Sequence, residues 1–290
     1  MSEVEQPFAT NIAATDEFLQ IREVVLSALA GRSMGPLGSE DLRDRLPRSQ
    51  VDLRSDTGLM LRVESLISEL LKKLSLANCK ALQFPVNVRV MSHKTPNQRV
   101  VAKGAYSTEL LHCDAWSGAP SDSRNHLIYL YTEPSCPYLE MYETLDESDP
   151  LRGYVGNYTE LSDQLYERRR VAIPCEAGIL AVWPTYSPHR TVVPAPSTSR
   201  AEGSPLRISI DFRTRESTPY EEDRNSAMDT FSDSKMNSLG VYWTFPSVSA
   251  SMKDKIELEI KSARESGSVA EARRREYIRK YYPDAAVSGL

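Results

Sequence analysis

Cysteine is scarce in this chain, and long apolar runs are absent. The four cysteines among 290 residues show neither the paired spacing of a zinc site nor the density of a disulfide framework. Free thiols in a reducing cytoplasm are therefore expected. No window approaches the ~18 apolar residues that a membrane-spanning helix needs. The acidic first residues lack the apolar segment of a signal peptide. The expectation is a cytoplasmic protein without a membrane partner.

An excess of positive charge is also missing. The chain has 35 lysines and arginines against 40 acidic residues, a net charge of −5, which argues against a nucleic-acid partner. Its hydrophobic content of 40% and charged content of 26% are ordinary for a globular protein. The length allows one large core with helical additions, and the sequence contains no internal repeat.

Histidine is scarce as well, and two of its four occurrences define a pattern together with one aspartate. His112 and Asp114 are two residues apart, so an extended strand would point both side chains to the same side and Cys113 away. His189 follows far downstream, after an apolar run and a proline turn. Two histidines and one carboxylate form a ligand set that holds Fe(II) and leaves positions open for a cosubstrate and O2. His126 has no partner at ligand spacing and is expected to be structural.

The hydrophobic period changes along the chain. Apolar residues spaced at three and four predict helices over 16–31 and 59–76, whereas residues 1 to about 12 are expected to be flexible. From residue 83 the period becomes two, and strands are predicted at 84–90, 99–103, 106–111, 125–132, 138–142, 171–173, 179–183, 190–193 and 206–213. The fold class predicted is mainly β with flanking helices, around a double-stranded β-helix of the jelly-roll, cupin-like type.

One domain over 1–290 is expected to contain three parts. Residues 1–82 would provide helical support, and 83–215 the jelly-roll core, with an insertion at 145–168 that covers the site. Residues 216–290 would form a helical extension, with helices at 251–264 and 269–282 that make a homodimer possible.

The alternating segment 206–213 carries a second candidate site. Arg207 lies 18 residues after His189. Its guanidinium can bind a carboxylate through two parallel hydrogen bonds. Ser209 projects to the same side of the strand. Arg200 and Arg213 are rival carboxylate binders, but Arg200 falls in a loop and Arg213 near the far end of the strand, so Arg207 is preferred.

Together these residues resemble the Fe(II)- and 2-oxoglutarate-dependent dioxygenases over about 86–215. His112, Asp114 and His189 match the iron ligands of that family in order and approximate spacing. Arg207-x-Ser209 matches the Arg-x-Ser in which the arginine binds the distal carboxylate of 2-oxoglutarate. The resemblance implies a jelly-roll fold and the cofactors Fe(II), 2-oxoglutarate and O2. Asn125 and Tyr129, on one face of the following strand, are further candidates for contacting 2-oxoglutarate.

The resemblance implies oxidation of a substrate C–H bond, with 2-oxoglutarate converted to succinate and CO2. The residues expected to contact the substrate favour a small, polar molecule. Natural-product, amino-acid or sugar metabolism is the expected setting. Asp114 favours hydroxylation over halogenation, because halogenating relatives have a small residue there; desaturation, cyclisation and demethylation stay open. Candidate substrate contacts are polar and aromatic: Trp116, Arg99, Lys103, Tyr106, Tyr154 and Tyr158.

Three other functions compete with this interpretation. A cupin-type metal enzyme would need no 2-oxoglutarate, and Arg207-x-Ser209 argues against it. A non-catalytic jelly-roll module would bind a sugar or a protein without needing three metal ligands. Action on a protein residue would call for a basic or peptide-shaped groove, and the sequence shows no sign of one.

Overall fold

The computed structural model describes residues 5–33, 53, 56–76, 79, 81–84, 86–92, 109–117, 119, 122–152, 165–195, 205–216 and 242–244. Within them lie helices α1 (Asp16–Ser33) and α2 (Thr57–Lys73) and the 3-10 helix η1 (Asp114–Ser117). The strands are β1 (Phe8–Asn11), β2 (Ala81–Phe84), β3 (Asn87–Ser92), β4 (Ser123–Thr132), β5 (Tyr138–Tyr142), β6 (Arg170–Val171), β7 (Ile179–Pro184), β8 (His189–Val192), β9 (Leu206–Arg215) and β10 (Tyr242–Thr244).

The described strands form two antiparallel sheets. The larger has the order β1-β7-β4-β9-β2-β10, and β3 pairs with β9 next to β2; the smaller has the order β6-β5-β8. Strand β9 is central, because it pairs with β4 on one side and with β2 and β3 on the other. Two antiparallel sheets of short strands are the arrangement of a jelly roll, as the sequence predicted.

Two apolar cores separate three layers. The larger core lies between helices α1 and α2 and one face of the large sheet, and includes Ile21, Ile67 and Ile210. A smaller core joins the other face of the large sheet to the small sheet through residues such as Leu127, Met141 and Trp183. The central strands β4, β7 and β9 of the large sheet are therefore mostly buried on both faces. The polar residues on the face toward the small sheet are enclosed between the sheets.

The two helices begin where the sequence places capping residues. The Thr15 hydroxyl accepts a hydrogen bond from the backbone N–H of Phe18 (3.3 Å), and Asp56 accepts one from the N–H of Leu59 (3.0 Å). Each such cap stabilises a helix by about 1 kcal/mol. The predicted helices are confirmed, although α1 continues past Gly31 to Ser33. No described helix is long and apolar enough to cross a membrane.

Strands form near both ends of the described chain. Residues 8–11 are not flexible but form edge strand β1, paired with β7 from Phe8↔Val182 to Asn11↔Ile179. Residues 242–244 form strand β10 beside β2. The predicted strand at 99–103, the helices at 251–264 and 269–282, and residues 153–164 of the predicted insertion lie outside the described residues.

Candidate active site

The two histidines of the predicted triad lie side by side although 77 positions separate them in the sequence. His112 donates its backbone N–H to the carbonyl of His189 (3.1 Å), and His189 returns the same bond (2.9 Å). This isolated antiparallel bridge brings the two imidazole centroids to 4.5 Å. Strand β8 supplies one residue of the pair, and the segment before η1 supplies the other.

Asp114 completes the triad. One carboxylate oxygen lies 3.8 Å from Nε2 of His112, and the other lies 3.8 Å from Nε2 of His189. One ligand atom from each residue lies within 4.8 Å of the other two, so a single ion can contact all three. The local backbone differs from the predicted strand, because Asp114 opens the 3-10 helix η1. Cys113 does point away, toward the carbonyl of Tyr186 (3.4 Å).

Hydrogen bonds orient both imidazoles for metal binding. Nδ1 of His112 lies 2.7 Å from the carbonyl of Leu110, and Nδ1 of His189 lies 3.0 Å from the carbonyl of Ser187. A carbonyl only accepts, so each Nδ1 carries the proton and each Nε2 presents its lone pair. Burial, reinforced by the neighbouring His189, lowers the pKa of His112 to about 4. Burial also lowers the pKa of His189, so both rings are neutral at pH 7.

Arg213 keeps Asp114 ionised. Burial alone would raise the pKa of Asp114, but the Arg213 guanidinium, with His189 and His112, outweighs burial and holds that pKa well below its ordinary value. Nη2 of Arg213 lies 3.1 Å from the carboxylate, and its Nε donates to the side-chain oxygen of Asn125 (2.9 Å). The sequence ranked Arg213 as a rival carboxylate binder; the carboxylate it holds belongs to the protein. The sequence feature that pointed to Arg213 was its alternation with Arg207, which puts both side chains on one face of the strand.

Arg207 lies at the other end of the same face of β9, and its charge is unpaired within the described chain. The side chain is 1% exposed. One Nη donates to the carbonyl of Pro137 (3.2 Å), the other contacts the Met91 sulfur, and the guanidinium carbon lies 5.8 Å from the ring centroid of Tyr129. Its Nε is buried without a hydrogen-bond partner, and no described carboxylate lies within ion-pair distance. A buried cation in this state is costly unless an anion joins it.

One cavity of about 90 Å³ connects these groups. The triad lines it together with Arg207, and so do side chains with unsatisfied polar atoms. The side-chain oxygen of Gln83, the side-chain nitrogen of Asn125 and the indole nitrogen of Trp183 are all buried without a hydrogen-bond partner among the described residues. Polar atoms in this state favour a polar ligand, because an unpaired buried donor or acceptor costs about 1–3 kcal/mol.

The remaining predicted contacts divide into three groups. Asn125 lines the cavity, whereas Ser209 and Tyr129 are fully buried and are not among the residues that line it. The Tyr129 hydroxyl accepts the N–H of Leu139 (3.2 Å), and the hydroxyl oxygen of Ser209 has no partner in the described part. Trp116 belongs to η1. The other predicted substrate residues lie outside the described residues: Arg99, Lys103, Tyr106, Tyr154 and Tyr158.

His126 is on the other face of β4 from Asn125; it also lines the cavity but is not part of the triad. Its ring stacks on Phe212, with centroids 4.8 Å apart and planes at 10°. Nδ1 lies 3.2 Å from the carbonyl of Arg124, and burial lowers its pKa to about 3. The cluster of potential metal ligands found in the described chain does not include it. Its stacking and burial agree with a structural role, which stays a prediction.

No protein-family model matches the chain, and no curated protein matches it. Solved structures do. The epimerase SnoN from nogalamycin biosynthesis, non-heme and α-ketoglutarate-dependent, is 14% identical over 71% of this chain and 76% of its own, with a TM-score of 0.40. An N-substituted L-amino acid dioxygenase from Burkholderia ambifaria AMMD, in complex with α-ketoglutarate, is 13% identical over 72% and 81%, with a TM-score of 0.36. The non-heme monooxygenase ThoJ, in complex with nickel, is 13% identical over 72% and 75%, with a TM-score of 0.33.

Proposed function

We propose that this protein is an Fe(II)- and 2-oxoglutarate-dependent oxygenase that hydroxylates a C–H bond of a small polar substrate. The observation that carries the proposal is one cavity with two complementary ends. A buried triad of His112, Asp114 and His189 lies at one end, and Arg207, buried without a carboxylate partner in the described chain, lines the same cavity. A metal ion would bind the triad, and the carboxylate of a ligand would pair with Arg207.

The donor set fits iron. Two neutral imidazole nitrogens and one carboxylate form the facial ligand set typical of non-heme Fe(II) oxygenases, with open coordination positions. Both Nδ1 atoms are engaged by backbone carbonyls, which fixes the ring orientation as in many protein metal sites. Iron bound here with 2-oxoglutarate would activate O2 for oxidation of the substrate. His112, Asp114 and His189 would hold the metal, while Arg213 holds Asp114 ionised and in place.

The distal carboxylate of 2-oxoglutarate fits Arg207. A guanidinium matches a carboxylate in geometry as well as in charge, and the buried Nε has no other partner in the described chain. Tyr129 packs beside the guanidinium, and Ser209 lies two residues further along the same face of β9. In this proposal Ser209 and Tyr129 pack around the end of the site where Arg207 binds the carboxylate. The side-chain nitrogen of Asn125, which has no partner in the described chain, donates to the ligand near the metal.

Asp114 supports hydroxylation over halogenation, because its carboxylate occupies the position that a halide would otherwise take. The cupin-type alternative without 2-oxoglutarate leaves the charge of Arg207 unexplained, and a non-catalytic binding module leaves the triad unexplained. We propose a small, polar substrate on the strength of the unsatisfied polar atoms of the cavity wall, at Gln83, Asn125 and Trp183.

The test is the addition of Fe(II) and 2-oxoglutarate under anaerobic conditions. The expected result is a weak visible charge-transfer band in the wild type that is lost or strongly weakened in Arg207→Ala. Arg22→Ala is a matched control, because Arg22 also donates to a backbone carbonyl, that of Leu130 (3.0 Å), but does not line the cavity. A folded, metal-loaded wild type without the band would overturn the proposal in favour of the cupin or binding-module alternative.

A further inference from the structure

The face of β9 that lines the cavity has one acidic residue among basic ones. Arg207, Ser209, Asp211, Arg213 and Arg215 alternate along it. Asp211 lies four residues after Arg207 and two before Arg213, which corresponds to about 13 Å and about 7 Å along a strand. All three charged residues line the same cavity as the triad. A carboxylate therefore lies on the path between the triad and Arg207, where the proposed function places a dicarboxylate.

Asp211 is held by two donors from the neighbouring strand β3. Nε of Arg89 lies 2.7 Å from one carboxylate oxygen, and the side-chain nitrogen of Asn87 lies 3.4 Å from the other. The strand register places Asn87 directly opposite Asp211 and Arg89 opposite Ser209. Because both oxygens already accept hydrogen bonds from the protein, Asp211 is not arranged to receive an ammonium group from a substrate.

Arg89 lines the same cavity as the triad and Arg207. Its side chain is 36% exposed, against 16% for Asp211. The guanidinium is therefore the more solvent-accessible member of the pair. A second arginine, Arg213, already holds the other carboxylate of this wall, Asp114.

We propose that Arg89 is a positioning residue that neutralises Asp211, so that an anionic 2-oxo acid can lie along β9 between the triad and Arg207. The inference rests on the proposed function. Without Arg89, the Asp211 carboxylate would face the dianion at short range. Like charges at such distances change an equilibrium by about tenfold or more. Arg89 is thus assigned an electrostatic role through Asp211, and not a direct bond to the ligand.

A charge-rescue series tests this assignment. 2-Oxoglutarate is titrated anaerobically into Fe(II)-loaded protein, and the dissociation constant is read from the visible band and from calorimetry. Arg89→Ala is expected to bind about tenfold more weakly, and Arg89→Lys to stay near wild type. Asp211→Asn is expected to bind at least as tightly as wild type. The double variant Arg89→Ala/Asp211→Asn is expected to recover to within about threefold of wild type.

A matched control is Arg32→Ala, which removes another arginine–aspartate pair, with Asp56, far from the cavity; it is expected to change nothing. Thermal unfolding confirms that each variant is folded. A double variant no better than Arg89→Ala would overturn the inference and make Arg89 a direct ligand contact. An Arg89→Ala variant with wild-type affinity would also overturn it, while the proposed function stands. A wild type without any band would instead remove the proposed function.

Discussion

Three buried histidines in this protein differ in what their Nε2 atoms face. Those of His112 and His189 lie 3.8 Å from the Asp114 carboxylate, while the ring of His126 stacks on Phe212. In all three, a backbone carbonyl two residues earlier lies beside Nδ1. The same local hydrogen bond therefore serves two purposes. It prepares two rings for a metal and satisfies the polar atom of the third within an apolar core.

The buried His126 makes the stability of the fold depend on pH. Its pKa is about 3 in the folded protein, because burial disfavours the charged ring, while the unfolded chain takes up a proton near the ordinary 6.5. The stability that the folded protein gains from keeping His126 neutral is fully present above pH 6.5. It is lost as the pH falls from 6.5 toward 3. We expect the free energy of unfolding to fall by about 1.4 kcal/mol per pH unit from this residue in that window.

Chemical denaturation at pH 7.5 and pH 5 in the wild type and in His126→Phe checks this expectation. The phenylalanine keeps the stacking on Phe212 but cannot take up a proton. The variant should lose less stability on acidification than the wild type, by about 2 kcal/mol. This difference corresponds to the uptake of one proton by the unfolded wild type over about 1.5 pH units. Equal losses in both proteins would show that His126 is not the group responsible.

The arginines of β9 show how far a single residue can be interpreted from sequence. Alternation along 206–213 correctly placed Arg207 and Arg213 on one face. It did not reveal which one faces a protein carboxylate, because Asp114 reaches Arg213 from a distant segment. Nor did it reveal the partner of Asp211, since Arg89 comes from β3 through the strand register. Pairing between strands is a tertiary property that a one-dimensional period does not contain.

At the scale of elements, the turn into β7 depends on Gly178. Its φ is +88°, and a Cβ built there would lie 2.4 Å from the Cβ of Ala13. The backbone is held on both sides, because Gly178 donates to the carbonyl of Tyr129 (2.9 Å) and accepts from the N–H of Ile12 (2.7 Å). The turn therefore joins β4, β7 and the start of α1, and it precedes the strand that leads to His189.

Gly178→Ala is expected to lower the free energy of unfolding by about 2 kcal/mol or more, from positive-φ strain and the clash with Ala13. The measurement is equilibrium denaturation with urea. Gly31→Ala is the matched control, because Gly31 lies in the last turn of α1, where an added Cβ would meet nothing within 4 Å; it should raise stability by up to about 1 kcal/mol. Equal effects of the two substitutions would contradict the assigned turn geometry.

Two connecting segments near the Arg207 end bring a pair of thiols together. The sulfurs of Cys136, before β5, and Cys175, before β7, lie 3.7 Å apart. The hydrogen bond from Cys175 is the main reason that the pKa of Cys136 is lowered below that of an ordinary thiol. A thiolate fraction at neutral pH makes Cys136 the reactive partner. In contrast, burial raises the pKa of Cys79 to about 12, and it raises that of Cys113 as well.

Mild hydrogen peroxide is therefore expected to join Cys136 and Cys175 in a disulfide. The two thiols lose two electrons and two protons, and the peroxide is reduced to two molecules of water. Peptide mapping without reductant should show the linked peptides and a mass loss of about 2 Da, while Cys79 and Cys113 stay open to alkylation in the unfolded protein. Oxidation confined to single cysteines, with no linked peptide, would contradict the expected pairing.

Strands with a strong hydrophobic pattern could be predicted from the sequence. Segments whose structure depends on contacts with neighbouring strands could not. Strands β4, β7 and β9 agree with the predicted runs to within a few residues, because alternation or a continuous apolar run reports burial directly. Strand β1 was missed, since four residues at a sheet edge carry little pattern and owe their structure to β7. Asp114 was predicted in a strand but opens η1, because the turn after His112 is set by its contact with β8.

At the scale of the whole molecule, the triad joins parts of the chain that belong to different layers. His189 is on β8 of the small sheet, His112 is bridged to it, and Asp114 is held by Arg213 of the large sheet. The helices pack on the far side of the large sheet and do not contribute a ligand among the described residues. An ion in the triad would therefore tie the two sheets together and resist their separation on unfolding.

Metal binding is accordingly expected to stabilise the whole fold. With Mn(II), a redox-silent substitute for Fe(II), at a hundred times its dissociation constant, the free energy of unfolding should rise by about 2.7 kcal/mol. His189→Ala should lose this increment, because it removes the ligand contributed by the small sheet. His126→Phe is the matched control and should keep it, since that histidine is not among the potential metal ligands of the described chain. The measurement is thermal unfolding with and without Mn(II), with EDTA to reverse the effect. If His189→Ala kept the full increment, the ion would bind elsewhere, and the triad would not be the metal site that links the sheets.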